Sequence, residues 1–382
     1  MKKVIEASEA VAIAAKLCRP KVIGVYPITP QTKIPEKIAD FVYDGEMDAE
    51  MINVESEHSA LSACLGAQAA GVRTFTATAS QGLALMNEIL FVTSGMRLPV
   101  VMAVANRALS APINIWNDHQ DSIAARDAGW LQFYVESAQE ALDTTVMAYK
   151  IAENLEILTP AMVCLDGFTL SHVFEPVNIP EQAEIDKFLP EYKPLFKLDP
   201  KKPVTMGPIA FPNTYMEFKK QQHDSMKKAL SLIVKTQEDW FKKFARPYGN
   251  GLIELYKMND AEYAIMAMGT VCSTSREVVD QLRNKGKKVG LIKVKTYRPF
   301  PENEIIKAVK SLKAIAVIDR DISLGQEGAL YTDVKAALKS CAPIINSFIA
   351  GLGGRDIRPE TIIEAVEKTM KSKTEVREWL MK

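Results

Sequence analysis

The run Pro99-Val100-Val101-Met102-Ala103-Val104 contains no polar residue. A strand of this kind has no face to show to water. It must be covered on both sides, the usual condition of a parallel sheet clothed in helices. Pro160-Ala161-Met162-Val163-Cys164-Leu165 repeats the pattern. Shorter strands are expected at 22–25, 52–54 and 73–77. Helices are expected between them at 8–18, 33–42, 57–70, 83–94 and 139–151. This alternation predicts a doubly wound α/β domain over residues 1 to about 170.

Composition changes after residue 174, where eight prolines fall between Pro176 and Pro212. Proline removes a ladder donor, so this stretch reads as a long extended excursion. A charged helix over 215–244 follows. Arg246-Pro247-Tyr248-Gly249-Asn250-Gly251 then marks a boundary. The α/β pattern restarts with strands at 263–268, 289–294, 314–318 and 344–349. Ser273 or Thr274 is expected to cap the helix running to Gly286, and 361–371 is a helix followed by a charged tail. The expected division is 1–250, with the excursion at 174–250, and a smaller α/β domain at 251–382.

Lysine plus arginine and aspartate plus glutamate are equal at 47 each. That balance gives no footprint for nucleic acid or a membrane surface. The five cysteines Cys18, Cys64, Cys164, Cys272 and Cys341 are far apart in sequence. None sits at CxxC spacing, so no cluster or zinc site is expected, and they read as reduced thiols of a cytoplasmic protein. The opening MKKVIEASEAVAIAAKL is interrupted by Glu6, Glu9 and Lys16 and reads as an amphipathic helix rather than a signal peptide.

Candidate chemistry gathers where strands end. The strand 22–25 runs into Tyr26-Pro27-Ile28-Thr29-Pro30, which puts the Thr29 hydroxyl at the carboxyl edge of a sheet, where open α/β sheets bind ligands. Thr32 is the cheaper cap for the next helix because Pro35 then stays in the first turn, and this leaves Thr29 free. Glu57 opens a helix of small residues. It is either an acid aimed at a nitrogenous group in a partly dry site or simply a first-turn carboxylate that favours the helix N-terminus. Arg107 ends another buried strand. With Thr29 it could converge on a small carboxylate, or it could be a solvated loop charge. His119, in Asn117-Asp118-His119-Gln120-Asp121, lacks a second histidine at ligand spacing and reads as a loop hydrogen-bonder. Gly351-Leu352-Gly353-Gly354 could cradle a phosphate or a backbone, but lacks the lysine and hydroxyl of a P-loop and reads as a turn.

At these residues the chain resembles a known family. YPITPQT (26–32), DAEMINVESEHSA (48–60), FTATASQGLALMNE (75–88), NRALSAPINIWNDHQDS (106–122) and GWLQFY (129–134) are similar to the α subunit of pyruvate:ferredoxin oxidoreductase. FEPV (174–177), VKTYRPFP (294–301), VIDRD (317–321) and GLGGRD (351–356) extend the similarity over nearly the whole chain.

The resemblance implies a thiamine-diphosphate fold: a pyrimidine-binding domain followed by a smaller domain like the C-terminal domain of transketolase. It implies thiamine diphosphate shared with a β subunit, with Mg2+ and 4Fe-4S clusters on partner β and δ subunits and none in this chain. The partners are β, γ and δ subunits, ferredoxin, pyruvate and coenzyme A. By matching motif, Glu57 would hydrogen-bond the pyrimidine N1′, beside Tyr26 and Pro27 as cofactor-binding residues. Thr29 and Arg107 would bind the carboxylate and keto group of pyruvate. The alternatives are a branched 2-oxoacid such as 2-oxoisovalerate as substrate, or a non-catalytic scaffold subunit. No catalytic residue is expected beyond residue 250.

Overall fold

The computed structural model describes residues 1–339 and 343–381, so Cys341 lies outside the described residues. Among those residues the strands form a seven-stranded sheet, a six-stranded sheet and a two-stranded ribbon. Across the larger sheet the order is Thr296–Arg298, Leu131–Val135, Ala161–Asp166, Val101–Asn106, Thr74–Thr78, Val22–Val25 and Glu50–Asn53. Six of these strands are parallel, and Thr296–Arg298 alone runs antiparallel. The apolar runs at 99–104 and 160–165 are therefore the two central neighbours, paired from Val101↔Ala161 to Asn106↔Asp166.

Alternate side chains of these strands feed two cores, as the two-residue period of a strand requires. Val101, Ala103, Val163 and Leu165 face the helices Ala7–Cys18 and Ala138–Ala152. Met102, Val104, Met162 and Cys164 face the opposite way, into a core shared with Met266, Ile292, Val317 and Leu330 of the second half of the chain. The second sheet is ordered Arg377–Trp379, Ile344–Ile349, Ala314–Asp319, Tyr263–Ala267, Val289–Val294 and Ile253–Tyr256. Its far face packs on the helices Val271–Asn284 and Pro359–Lys371. The molecule is thus layered helix, sheet, helix, sheet, helix, with Glu57–Ala69 and Ala329–Leu338 among the helices that fill the shared core between the sheets.

Several expectations are corrected. The tail after the last helix is not simply charged coil, because Arg377–Trp379 joins the second sheet beside Ile344–Ile349. The excursion from 174 begins as a strand, Phe174–Asn178, paired antiparallel with Lys2–Glu6. Neither Ser273 nor Thr274 caps a helix. That helix begins at Val271, and Thr270 precedes it without a side-chain capping bond. Thr32 likewise precedes Lys33–Tyr43 without a capping bond from its hydroxyl. The expected helix 83–94 is two, Ser80–Leu85 and Asn87–Gly95. Cys18, Cys64, Cys164 and Cys272 are free and buried, and burial pushes the Cys64 thiol up to about 12.

Candidate active site at the carboxyl edge of the larger sheet

Strand order decides what meets at this edge. The strand Val22–Val25 lies between Glu50–Asn53 and Thr74–Thr78, so the segments after all three strands are neighbours. The helix Glu57–Ala69 starts there, with Ser56 extended and its hydroxyl accepting from the Ser59 backbone N–H at 3.3 Å. Glu57 is the first residue of that helix and is 7% exposed. Its carboxylate has no hydrogen-bond or ion-pair partner among the described residues. It packs on Gly82, where a Cβ would lie 2.7 Å from Glu57 Oε1 and 2.5 Å from the Thr78 hydroxyl. A buried carboxylate without a partner is costly. The missing side chain at position 82 is what leaves Glu57 its room.

Arg107 follows the strand Val101–Asn106 and is 7% exposed. Its Nη1 donates to the Thr29 carbonyl at 3.0 Å and its Nε to the Asn114 carbonyl at 3.0 Å. The structure therefore brings Arg107 and Thr29 together, through the Thr29 backbone. The Thr29 side chain is exposed and its hydroxyl makes no hydrogen bond among the described residues. Arg107 forms no salt bridge among those residues either. Burial pushes its pKa down, against the opposing charge of Asp121. Tyr26 is 36% exposed and Pro27 is also exposed, both just beyond the end of Val22–Val25.

Asp121, fully enclosed, organises the loops around Arg107. Oδ2 accepts from the backbone N–H groups of Ser80 at 2.8 Å and Arg107 at 3.0 Å. Oδ1 accepts from the Asn106 amide at 2.7 Å and the Ser122 N–H at 2.7 Å. Burial pushes the carboxyl up to about 6, despite the donors that favour its charged form. Sequence reasoning assigned Asp121 no role; its one signal is the dense polar stretch Asn117-Asp118-His119-Gln120-Asp121-Ser122.

His119 is a hydrogen-bonder. Its Nε2 lies 2.8 Å from Asp166 Oδ1, both groups fully enclosed. Asp166 Oδ2 also accepts from Arg320 Nη1 at 2.9 Å and from the Thr270 backbone N–H at 3.1 Å. Burial pushes Asp166 up, but the charges of His119 and Arg320 outweigh it and hold the carboxyl well below its ordinary range. This knot fastens the strand end at 166 to the second sheet.

Comparison with known proteins places this chain in a family. Residues 13–238 match the model for pyruvate flavodoxin/ferredoxin oxidoreductase, thiamine diphosphate-binding, and residues 261–362 match pyruvate:ferredoxin oxidoreductase core domain II. The chain belongs to the pyruvate:ferredoxin oxidoreductase family. Family relatives include pyruvate synthase subunit PorA of Methanothermobacter thermautotrophicus, 54% identical over 96% of this chain and 95% of that one. PorA of Pyrococcus furiosus is 53% identical over 96% of this chain and 93% of that one. Ketoisovalerate oxidoreductase subunit VorA of Pyrococcus horikoshii stands at 45% over 98% and 95%.

The fold agrees with that family. A 2-oxoglutarate:ferredoxin oxidoreductase structure from Magnetococcus marinus matches with a TM-score of 0.77 at 18% identity, covering 97% of this chain and 65% of that chain. A split-gene transketolase matches at 0.55 and 12%, covering 95% and 96%. At such identities these two show the fold alone. The chain is an oxidoreductase subunit with the expected α/β architecture and a thiamine-diphosphate-binding region. No described helix is long and apolar enough to cross a membrane, and no described cluster of His, Cys, Asp and Glu could hold a metal.

Proposed function

We propose that this chain is the α subunit of a cytoplasmic pyruvate:ferredoxin oxidoreductase, acting with β, γ and δ subunits to convert pyruvate, coenzyme A and oxidised ferredoxin into acetyl-CoA, carbon dioxide and reduced ferredoxin. One observation carries the reading: two buried charges without ionic partners, Glu57 and Arg107, stand at one sheet edge. An unpaired buried carboxylate fits a ring nitrogen that donates a proton. An unpaired buried guanidinium fits a small carboxylate. Thiamine diphosphate, when bound, supplies the nucleophilic carbon that attacks the keto group.

In this reading Glu57 hydrogen-bonds the pyrimidine N1′ and keeps the aminopyrimidine in the tautomer that can accept a proton. Tyr26 and Pro27 border the ring. Arg107 binds the pyruvate carboxylate, and the free Thr29 hydroxyl donates to its oxygens. Two domains meeting between residues 250 and 251 suit the two family matches, which stop at 238 and restart at 261. The decisive experiment is Glu57→Gln in the assembled enzyme. Subunit assembly is expected to survive while turnover falls at least ~100-fold, the scale of a lost proton-transfer group. Normal turnover would remove Glu57 from the cofactor's site.

A further inference from the structure

The loop that carries Arg107 is fastened from the second half of the chain. Asn114 lies at the centre of that attachment. Its backbone carbonyl accepts from Arg107 Nε at 3.0 Å, and its side-chain amide donates to the Gly353 carbonyl at 3.0 Å. Its Oδ1 accepts from the Trp116 N–H at 2.7 Å. The glycine turn answers with two donors of its own: Gly353 N–H to Asp118 Oδ2 at 3.1 Å, and Gly354 N–H to the Asn117 carbonyl at 2.6 Å.

The glycines are required for this contact. Gly353 and Gly354 have φ of +59° and +80°, and a Cβ would fall 2.5 Å from Asn114 Nδ2 at the first and 2.3 Å from Trp116 Cβ at the second. A side chain at 353 would displace the Asn114 amide and one at 354 would collide with Trp116, each at a backbone conformation that L residues rarely adopt. The turn therefore reads the loop's backbone at contact distance, and Arg107 lies one residue's hydrogen bonds away.

We propose that Asn114 and the turn Gly353-Gly354 are positioning residues for Arg107, so that the second half of the chain sets the aim of the substrate-carboxylate guanidinium. The inference rests on the reading of Arg107 as the carboxylate ligand. A guanidinium held by two backbone carbonyls has its orientation fixed by whatever fixes those carbonyls. One of the two, Thr29, lies in the turn after the strand Val22–Val25; the other, Asn114, is pinned by Gly353.

The test is steady-state kinetics of Asn114→Ala, Gly353→Ala, Arg107→Ala and the double variant Asn114→Ala/Arg107→Ala in the assembled enzyme, with thiamine diphosphate affinity measured in parallel. Asn114→Ala and Gly353→Ala are expected to raise the KM for pyruvate about ten- to hundredfold, with a much smaller change in kcat and unchanged cofactor affinity. In the Arg107→Ala background, Asn114→Ala is expected to add nothing to KM, because the group it positions is gone. An unchanged KM in Arg107→Ala would overturn the reading of Arg107 itself. A raised KM in Arg107→Ala with an unchanged KM in Asn114→Ala would overturn the positioning role alone. Full additivity in the double variant would also overturn it.

Discussion

A single aspartate does more to shape this site than either charge that faces it. Asp121 accepts four hydrogen bonds, and three of those donors are the backbone N–H groups of Ser80, Arg107 and Ser122. Replacing it by asparagine turns an amide donor toward donors and leaves buried N–H groups unpaired, at about 1–3 kcal/mol each. Asp121→Asn is therefore expected to lower the thermal midpoint of the assembled enzyme by several degrees at neutral pH. The sign of the pH dependence follows from its raised pKa. The cost of ionising Asp121 is absent below its ordinary value near 3.8, grows as pH rises, and is complete above about 6. The variant lacks that dependence, so the gap between the two midpoints should be widest near pH 4 and narrow toward pH 6. A gap that widens instead would refute the assignment. Thr29, Glu57 and Arg107 were legible in the sequence because each follows an apolar run or opens a small-residue helix. Asp121 was not, because three of its four donors, on Ser80, Asn106 and Arg107, come from segments that only folding brings to it.

The helix Ala138–Ala152 shows how one element ties the two sheets. Its Glu140 is wholly buried and accepts from Lys293 Nζ at 2.9 and 2.7 Å, with Lys295 Nζ at 3.2 Å. Both lysines belong to the second half of the chain. Burial pushes Glu140 up, but the charges of Lys293 and Lys295 outweigh it and hold the carboxyl down at about 2. Its contribution is thus fully present above pH 4.5 and fades as pH falls toward 2. Glu140→Gln takes from Lys295 its ion-pair partner and leaves Lys293 with Glu136 at 3.3 Å and Glu254 at 3.7 Å, and is expected to cost about 3–5 kcal/mol, read by denaturant unfolding at pH 7. The wild-type advantage should shrink below pH 4. The helix itself was plain from its pattern, but its buried charge was not. Glu140 stands in the first turn, where an acid is ordinary, and its partners are more than 150 residues away.

At the scale of the whole molecule, two sheets share one core. Tyr134, Met162 and Cys164 from the first sheet and Val294, Tyr297 and Leu330 from the second half lie in the same apolar cluster. Thr296–Arg298 crosses over to pair with Leu131–Val135. A fragment ending at residue 250 would expose that core, so it is expected to aggregate and to show no cooperative thermal transition. The strands of the sheet's centre were legible because uninterrupted apolar runs have one interpretation. Thr296–Arg298, Lys2–Glu6 and Phe174–Asn178 were not, because three to five residues acquire strand geometry only from a distant partner. The crossover also gives the sheet a polarity of growth. The rim at Leu131–Val135 is sealed by the chain's own backbone. The opposite rim is the four-residue strand Glu50–Asn53, whose one neighbour in the sheet is Val22–Val25. A strand added at that rim would pair with Glu50–Asn53. That side lies against the segment leading to Glu57, so any pairing there would be felt first at the acid.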